Sequence, residues 1–198
     1  VLKNFASINA NIIMREGNVL KTVSEAKNLL ASATILEDIP KTVGVYDLNE
    51  FLGVLGLVDT PRVEWQDTHA IVSDSTGRSK IKYFFSDIDM LTSPSKDITM
   101  PSVDVKFVLD SDVLTKIKRA ASALRLTELA ITSNNGILTL SVVDSENATS
   151  NTFSIDVDGE YTEDNFNFIL NISNLKMLPG DYEVCLLYTS DAADEEDS

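Results

Sequence analysis

The sequence predicts an α+β fold of two similar domains, each with two helices packed on antiparallel sheet, the second domain being incomplete. The order helix, strands, helix, strands occurs twice along its 198 residues. Residues 43–52 also align with residues 167–176, because in both segments a strand leads into an Asp or Asn helix cap and then into a helix. An internal duplication of about a hundred residues explains these repeats better than two unrelated domains do.

The first half opens with an amphipathic helix, in which Leu2 and Phe5 are apolar and Lys3 lies on the polar side. Two short apolar runs on either side of residues 15–18 are expected to pair as a hairpin. Asp47 is a suitable N-cap for the apolar helix that follows it. In order, the predicted elements are a helix at 2–8, strands at 12–14, 19–23, 29–35 and 43–46, a helix at 48–57, and strands at 62–65, 69–73 and 79–85.

The second half begins with Asp110 or Ser111 as the cap of a helix whose apolar residues share one face at helical spacing. Asn135-Gly136 then predicts a tight hairpin, since this dipeptide readily adopts the positive φ angles of the favoured turns. In order, the predicted elements are a helix at 111–124, strands at 129–132, 137–142, 152–157 and 166–170, a short helix at 172–178, and a strand that starts at 182.

We expect a first domain at residues 1–89, a connector at 90–103 and a second domain at 104–184. The connector is predicted because its sequence is rich in proline and serine and has no periodicity. Residues 185–198 begin CLLYTSDAADE, which matches one reading frame of a common transposase sequencing adapter. We interpret this tail as not native and the chain as truncated at both ends; an acidic tail that recruits partners is the alternative.

The composition excludes several classes of protein. One cysteine and one histidine leave no disulfide framework, no multi-cysteine metal site and no Ser-His-Asp triad that does not use His69. No glycine-rich phosphate loop indicates an ATPase, and no apolar run is long enough for a membrane span. We therefore expect no enzyme activity, no metal, no cofactor and no membrane partner. The net charge of −15 argues against a surface coated uniformly with DNA-binding charge.

Three strings carry a family resemblance: LKNFASIN at residues 2–9, VYDLNEFLGVLGLV at 45–58 and DNFNFILNISNLKMLPGDYEV at 164–184. In their order and separation they resemble the sliding clamps of T-even-type tailed phages. The resemblance implies a DNA-clamp fold and a homotrimeric ring whose helices surround double-stranded DNA without reading its sequence. It also implies that an ATP-dependent clamp loader opens the ring, that the ring tethers the DNA polymerase and supports late transcription, and that this takes place in the cytoplasm of the infected host.

A clamp needs bases that face the hole, and the sequence offers a small set of candidates. Lys116, Lys118 and Arg119 lie on the helix side away from its apolar stripe. The other candidates are Lys3 in the opening helix, Arg125 just past the end of the second-half helix, and Lys176 in the helix after Asn171. Three bases on a helix can also be an ordinary solvated face. The DNA-facing interpretation gains weight because the chain has 16 bases against 31 acids.

The connector offers apolar residues for binding a partner peptide: Met90, Leu91, Ile98 and Met100. An equally good interpretation is that these residues attach the connector to the sheets.

Two other functions stay open. The chain could be an acidic phage structural or adaptor protein that binds only other proteins. A hydrolase that uses paired carboxylates ranks last, because no Asp or Glu pair has a spacing that sets it apart.

Overall fold

The computed structural model describes residues 1–94, 102–147 and 149–187. The chain divides into two compact units, Val1–Asp97 and Ile98–Ser198. The division lies inside the predicted connector. Each unit has its own buried core, so each is described separately.

The first unit contains two α-helices and seven strands within the described residues. Its helices pack together and its strands form three antiparallel sheets, of order β1-β4, β2-β3 and β5-β6-β7. The elements are α1 (Leu2–Ile8), β1 (Ile12–Met14), β2 (Gly17–Val23), β3 (Leu30–Ile39), β4 (Val43–Val45), α2 (Leu48–Gly56), β5 (Arg62–Trp65), β6 (His69–Ser73), β7 (Lys80–Phe84) and a 3-10 turn at Ile88–Met90.

The predicted hairpin between the first two strands is wrong. β1 pairs with β4, with Ile13 opposite Gly44, and β2 pairs instead with β3. The reason is burial, because all three residues of β1 and all three of β4 are buried. Two short strands that are covered on both sides satisfy their backbone groups best by pairing with each other. The turn residues at 15–18 therefore do not determine the pairing of β1, which pairs with the more distant strand β4.

The helix α2 begins as the sequence predicts. The Asp47 side chain accepts hydrogen bonds from the backbone N–H groups of Asn49 and Glu50. Leu48 and Phe51 are buried, and the Phe51 ring lies 5.1 Å from the ring of Tyr83. This contact holds the helix against the strand β7 in the core of the first unit.

The second unit contains one α-helix and seven strands within the described residues. Its strands form two antiparallel sheets, of order β11-β10-β9-β13 and β12-β8-β14. The elements are β8 (Val105–Leu109), α3 (Ser111–Leu124), β9 (Glu128–Asn134), β10 (Ile137–Val143), β11 (Phe153–Val157), β12 (Gly159–Tyr161), β13 (Asn167–Asn171), a 3-10 turn at Ile172–Asn174 and β14 (Tyr182–Leu186).

The hairpin β9–β10 is confirmed. Its two turn residues, Asn135 and Gly136, have φ angles of 53° and 85°, as a tight turn of this kind requires. The carboxylate of Asp164 lies beside this turn. Hydrogen bonding from Ser133, and then from the N–H groups of Asn165, Gly136 and Asn135, holds the pKa of Asp164 below its usual value.

The second helix predicted for this unit is not a helix of 172–178. It is a single 3-10 turn at Ile172–Asn174, and residues 175–178 are irregular. Asn171 still caps the turn, since its side chain accepts from the N–H of Ser173. Leu175 and Met177 pack against the core, so these alternate residues are held by burial rather than by continued helical hydrogen bonds.

The last described strand extends beyond the predicted domain boundary at residue 184. Cys185 lies opposite Lys106 and Leu186 lies opposite Val105 in the ladder with β8. Residues 188–198 of the predicted tail lie outside the described residues.

The chain crosses from one sheet to the other at Gly159, where the packing is tight. A Cβ there would lie 2.6 Å from Cδ2 of Leu138, 2.9 Å from the carbonyl oxygen of Lys106 and 3.0 Å from the Cβ of Phe107. We expect Gly159→Ala to lower the free energy of unfolding by about 1–3 kcal/mol, because the end of the Leu138 side chain can move aside but the Lys106 carbonyl and the Phe107 Cβ cannot. Urea denaturation followed by circular dichroism measures the loss.

The matched control is Gly53→Ala, at an exposed helix position where a Cβ would meet nothing within 4 Å. This variant should gain up to about 1 kcal/mol from helix propensity. Equal stability of the two variants would contradict the packing described for Gly159.

Candidate nucleic-acid interface

The helix α3 has two of its first free amides satisfied by carboxylates. Asp110 accepts a hydrogen bond of 2.7 Å from the N–H of Val113, and Asp181 accepts one of 2.9 Å from the N–H of Ser111. Asp181 lies 70 residues further along the chain. The helix is therefore fixed at its start by a local cap and by a tertiary contact.

One side of α3 packs on the large sheet of the second unit. Val113, Leu114, Ile117 and Ala121 are buried there, and Ile117 is completely inaccessible. The helix contacts β10 and β11. Because residues three and four apart share one side of a helix, burial of this stripe determines which residues face away from the sheet.

The bases of α3 lie on that opposite side and its flank. Lys116 and Arg119 are exposed, and Lys118 is half-buried at the edge of the stripe. Asp112 is the single acid in the helix sequence, and it is four residues from Lys116. Arg119 and Lys118 have no acidic residue three or four positions away, so the helix gives them no neutralising partner.

Arg125 ends α3 in the left-handed conformation, with φ 57° and ψ 42°. It is exposed, and the next N–H, of Leu126, donates to the carbonyl oxygen of Ala121. Glycine is the usual residue at such a position, because a side chain makes this conformation less favourable. The negative end of the helix dipole partly offsets the cost by favouring a cation.

None of these four bases has an ion pair within the described ranges. We call Lys116, Lys118, Arg119 and Arg125, which lie along α3 and at its C-terminal cap, the α3 basic set. The second unit has two further bases, Lys106 and Lys176. Lys106 is paired with Glu183 at 3.0 Å, and this pairing raises the pKa of Lys106.

The two remaining predicted bases lie elsewhere. Lys3 is exposed on α1 in the first unit, as predicted. Lys176 is exposed but does not lie in a helix, which corrects the prediction. It follows the 3-10 turn, and its N–H donates to the carbonyl oxygen of Asn174 at 2.8 Å.

The connector residues differ in exposure. Met90 ends the 3-10 turn at 76% exposure, whereas Leu91 is half-buried. The Leu91 side chain lies over Gly44, where a Cβ would come within 2.8 Å of it. The N–H of Thr92 donates to Asn11, so this end of the connector is attached to the first unit. Ile98 and Met100 lie outside the described residues.

The sequence reasoning missed a basic edge on β7. Lys80 and Lys82 are exposed on one face of this strand together with Phe84, which is 62% exposed. The Lys82 ammonium lies 4.7 Å from the centre of the Phe84 ring. Desolvation and then the charges of Lys82 and Lys41 hold the pKa of His69 below its usual value. The alternating sequence Lys80-Ile81-Lys82 was the pattern from which two lysines on one face of a strand could have been predicted.

An acidic edge lies on β11 of the second unit. Asp156 and Asp158 are exposed, and Asp156 accepts a hydrogen bond of 2.8 Å from Thr139 on the neighbouring strand. β7 and β11 each pair with one strand only among the described residues, so each is the edge of its sheet.

The described residues hold neither a metal cluster nor a membrane helix. No three His, Cys, Asp or Glu side chains there are placed to share a metal ion. No helix in the described part of the chain is both long enough and apolar enough to cross a membrane.

Two family models match the sequence. Residues 1–86 match the model described as DNA polymerase processivity factor, and residues 106–193 match the model described as gp45 sliding clamp, C terminal. The chain is 32% identical to the sliding clamp of Enterobacteria phage T4 and 30% identical to that of Escherichia phage RB69. Each alignment covers 94% of this chain and 83% of the relative. The sliding clamp of Vibrio phage KVP40 is 27% identical over 94% of this chain and 86% of its own length.

Solved structures share the fold at low identity. Proliferating Cellular Nuclear Antigen from Entamoeba histolytica matches with a TM-score of 0.64 and 15% identity, over 93% of this chain and 83% of that one. PCNA from Thermococcus kodakaraensis matches with a TM-score of 0.63 and 12% identity, over 92% and 83%. These matches confirm the predicted α+β DNA-clamp fold.

The cap of α3 supports the position of the basic set, and its removal is measurable. We expect Asp110→Ala to lower the free energy of unfolding by about 1 kcal/mol, because the N–H of Val113 loses its acceptor. Asp110→Asn retains an acceptor oxygen, so it should lower the free energy of unfolding by less than Asp110→Ala does. Chemical denaturation compares the two variants, and an unchanged midpoint for Asp110→Ala would show that the cap does not stabilise the helix.

Proposed function

The chain belongs to the sliding-clamp family of T4-type phages, which are DNA polymerase processivity factors, and we propose that it works by encircling double-stranded DNA with the α3 basic set turned toward the phosphates. A ring that slides must attract the backbone without reading bases, and exposed lysines and arginines make contacts of that kind. Lys3 and Lys176 are proposed as additional contacts. The ring then holds the polymerase on its template.

The observation that carries this proposal is the α3 basic set. In a chain of net charge −15, four cations lie within ten residues on a helix that a cap, a tertiary contact and a buried stripe hold in place. An ordinary solvated helix mixes acids with its bases, whereas Arg119 and Lys118 have no acid within reach along the helix. Surrounding acids keep other nucleic acid away by repulsion.

The rest of the proposed function follows the family. The protein is a tether and not an enzyme, an ATP-dependent loader opens and closes the ring, and the site of action is the cytoplasm of the infected host. Support of late transcription stays a prediction. Met90 and Leu91 are proposed to contact the partner peptide of the polymerase, with Met90 the more accessible of the two. Ile98 and Met100 complete the set predicted from the sequence.

The double variant Lys116→Glu/Arg119→Glu tests the DNA contact. We expect its retention on circular DNA and its stimulation of polymerase to fall about tenfold or more, because two phosphate contacts per subunit become repulsive. The slope of log affinity against log salt should fall by about 0.9 for each phosphate that the variant no longer neutralises. Sedimentation should show the same oligomer as the unmodified protein.

Lys27→Glu/Arg78→Glu is the matched control, since both of its residues are exposed in turns of the first unit and the charge change is equal. It should leave retention unchanged. Full polymerase stimulation by the α3 variant would favour the adaptor alternative and overturn the proposed contact.

The homotrimer is supported by the two charged sheet edges. An unpaired strand edge presents free N–H and C=O groups that another chain can complete. β7 carries Lys80 and Lys82, and β11 carries Asp156 with Asp158 beside it. Because the edges are opposite in charge and lie on different units, one copy can bind the next head to tail. Repeated contacts of this type close into a ring when the rotation from one copy to the next is a whole fraction of a turn, and the family resemblance sets the number of copies at three.

Reversing the charges of β7 and then of β11 tests whether these two edges, rather than the overall surface charge, hold the trimer together. Lys80→Glu/Lys82→Glu should dissociate the trimer into monomers at micromolar concentration, measured by light scattering after size exclusion. Adding Asp156→Lys and Asp158→Lys to the same chain should restore it. Arg62→Glu, on the other edge of the same sheet, is the control and should remain trimeric. A trimer that survives the first substitution would exclude these edges.

A further inference from the structure

Gly44 marks the place where the chain that follows β7 passes over the strand β4 of the first unit. Ser86 forms an antiparallel bridge with Gly44, and its N–H donates to the Gly44 carbonyl oxygen at 2.9 Å. Val43 and Val45 point into the core, so position 44 points the other way, under the segment that begins at Ser86. A Cβ at Gly44 would lie 2.6 Å from the Ser86 carbonyl oxygen and 2.8 Å from Cδ1 of Leu91. The missing side chain is what allows this close approach.

Two hydrogen bonds attach residues 86–92, which we call the docking segment, to the rest of the first unit. One is the bond from Ser86 at the start of the segment. At its end, the N–H of Thr92 donates to Oδ1 of Asn11 at 3.1 Å. Asn11 is itself held in place, because its own N–H donates to the buried side chain of Asn9. Both ends of the docking segment are therefore fixed to the protein before a partner binds.

The docking segment presents apolar side chains between acids. Leu91 is turned inward and half-buried, whereas Ile88 is 42% exposed and Met90 is exposed further still. Asp87 and Asp89 are exposed on either side of Ile88, and the sequence of the segment has no base. Asp87 also fixes the 3-10 turn, since its side chain accepts a hydrogen bond of 3.0 Å from the N–H of Asp89. The segment is therefore a rigid apolar surface with a negative charge.

We propose that Gly44 is a positioning residue that preforms the docking segment, and that the segment binds a short peptide in which an apolar residue is flanked by Lys or Arg. The apolar residue packs on Ile88 and Met90, and the flanking bases face Asp87 and Asp89. Complementary charge selects such a partner and its orientation. A segment that is fixed in advance loses less conformational entropy on binding than a free loop does, so the same contacts give a tighter complex.

This inference rests on the proposed function, in which the start of the connector contacts the polymerase. It adds the chemistry of the peptide and the residues that hold its site, and it needs the first unit alone. Peptide binding is measured without DNA. Failure of the proposed function is recognised separately, because Lys116→Glu/Arg119→Glu would then retain normal binding to DNA.

The test applies two labelled synthetic peptides to the full chain and follows their fluorescence anisotropy. One peptide has leucine and phenylalanine between lysines, and the other has glutamates in place of the lysines. We expect the lysine peptide to bind about tenfold or more tightly at low salt, with the difference reduced at high salt. Asp87→Asn/Asp89→Asn should remove most of this difference, because asparagine keeps the acceptor oxygen of the turn cap and loses the charge.

Variants of Gly44 and Asn11 test the positioning. Gly44→Ala should weaken binding of the lysine peptide about tenfold, because the segment must move off β4. Asn11→Ala leaves the space at Gly44 unchanged and decides the matter if Gly44→Ala does not fold. It should weaken the peptide several-fold and speed hydrogen exchange at the Thr92 amide, and Asn11→Asp, which retains an acceptor oxygen, should restore both. The control is Asn18→Ala, at an exposed position of β2, which should bind like the parent.

Three results would overturn the inference. The two peptides could bind equally at low salt, which would exclude a partner with flanking bases. Asn11→Ala could bind the lysine peptide like the parent although its Thr92 amide exchanges faster, which would mean that a fixed segment is not needed. The amides of Ser86 and Thr92 could exchange in the parent as fast as those of an unstructured chain, which would mean that the segment is not preformed.

Discussion

Burial of the apolar stripe of α3 against β10 and β11 is the contact on which the functional site depends. Val113, Leu114, Ile117 and Ala121 fix the rotation of the helix about its axis, and Asp110 and Asp181 fix its first turn. With rotation and position fixed, Arg119 faces away from the sheet, and Lys116 and Lys118 lie at the flanks of the buried stripe. Hydrophobic packing thus orients charges that would contribute little to folding by themselves.

The proposed arrangement of charge accounts for how so acidic a chain would hold DNA. The attraction of exposed cations for phosphate is local and is screened by salt, so in this proposal the α3 basic set attracts DNA close to it while the acids elsewhere repel it. A clamp needs such a balance. Strong binding would prevent sliding, whereas the proposed ring, closed by β7 and β11, would hold the duplex even where each contact is weak.

Local signals predicted the elements that depend on local chemistry. The start of α2 was predicted from Asp47, the start of α3 from Asp110, and the β9–β10 hairpin from the Asn135-Gly136 turn. The apolar stripe of α3 predicted that Lys116 and Arg119 lie away from the sheet. Long-range pairing was missed. β1 pairs with β4, and this choice of partner depends on the burial of both strands. Lys176 was placed in a helix that packing of Leu175 and Met177 replaces. The edge position of Lys80 and Lys82 is a property of sheet order, which no local pattern contains.

Whether α3 faces the DNA is measured most directly by crosslinking on loaded rings. In a Cys185→Ser background, a photoreactive group is attached at Arg119→Cys or at Glu64→Cys, an exposed position in β5 of the first unit. After loading onto circular duplex, we expect crosslinks to DNA from position 119 and background levels from position 64. Equal crosslinking from both positions, or none from position 119 in rings shown to be loaded, would contradict the proposed orientation of α3.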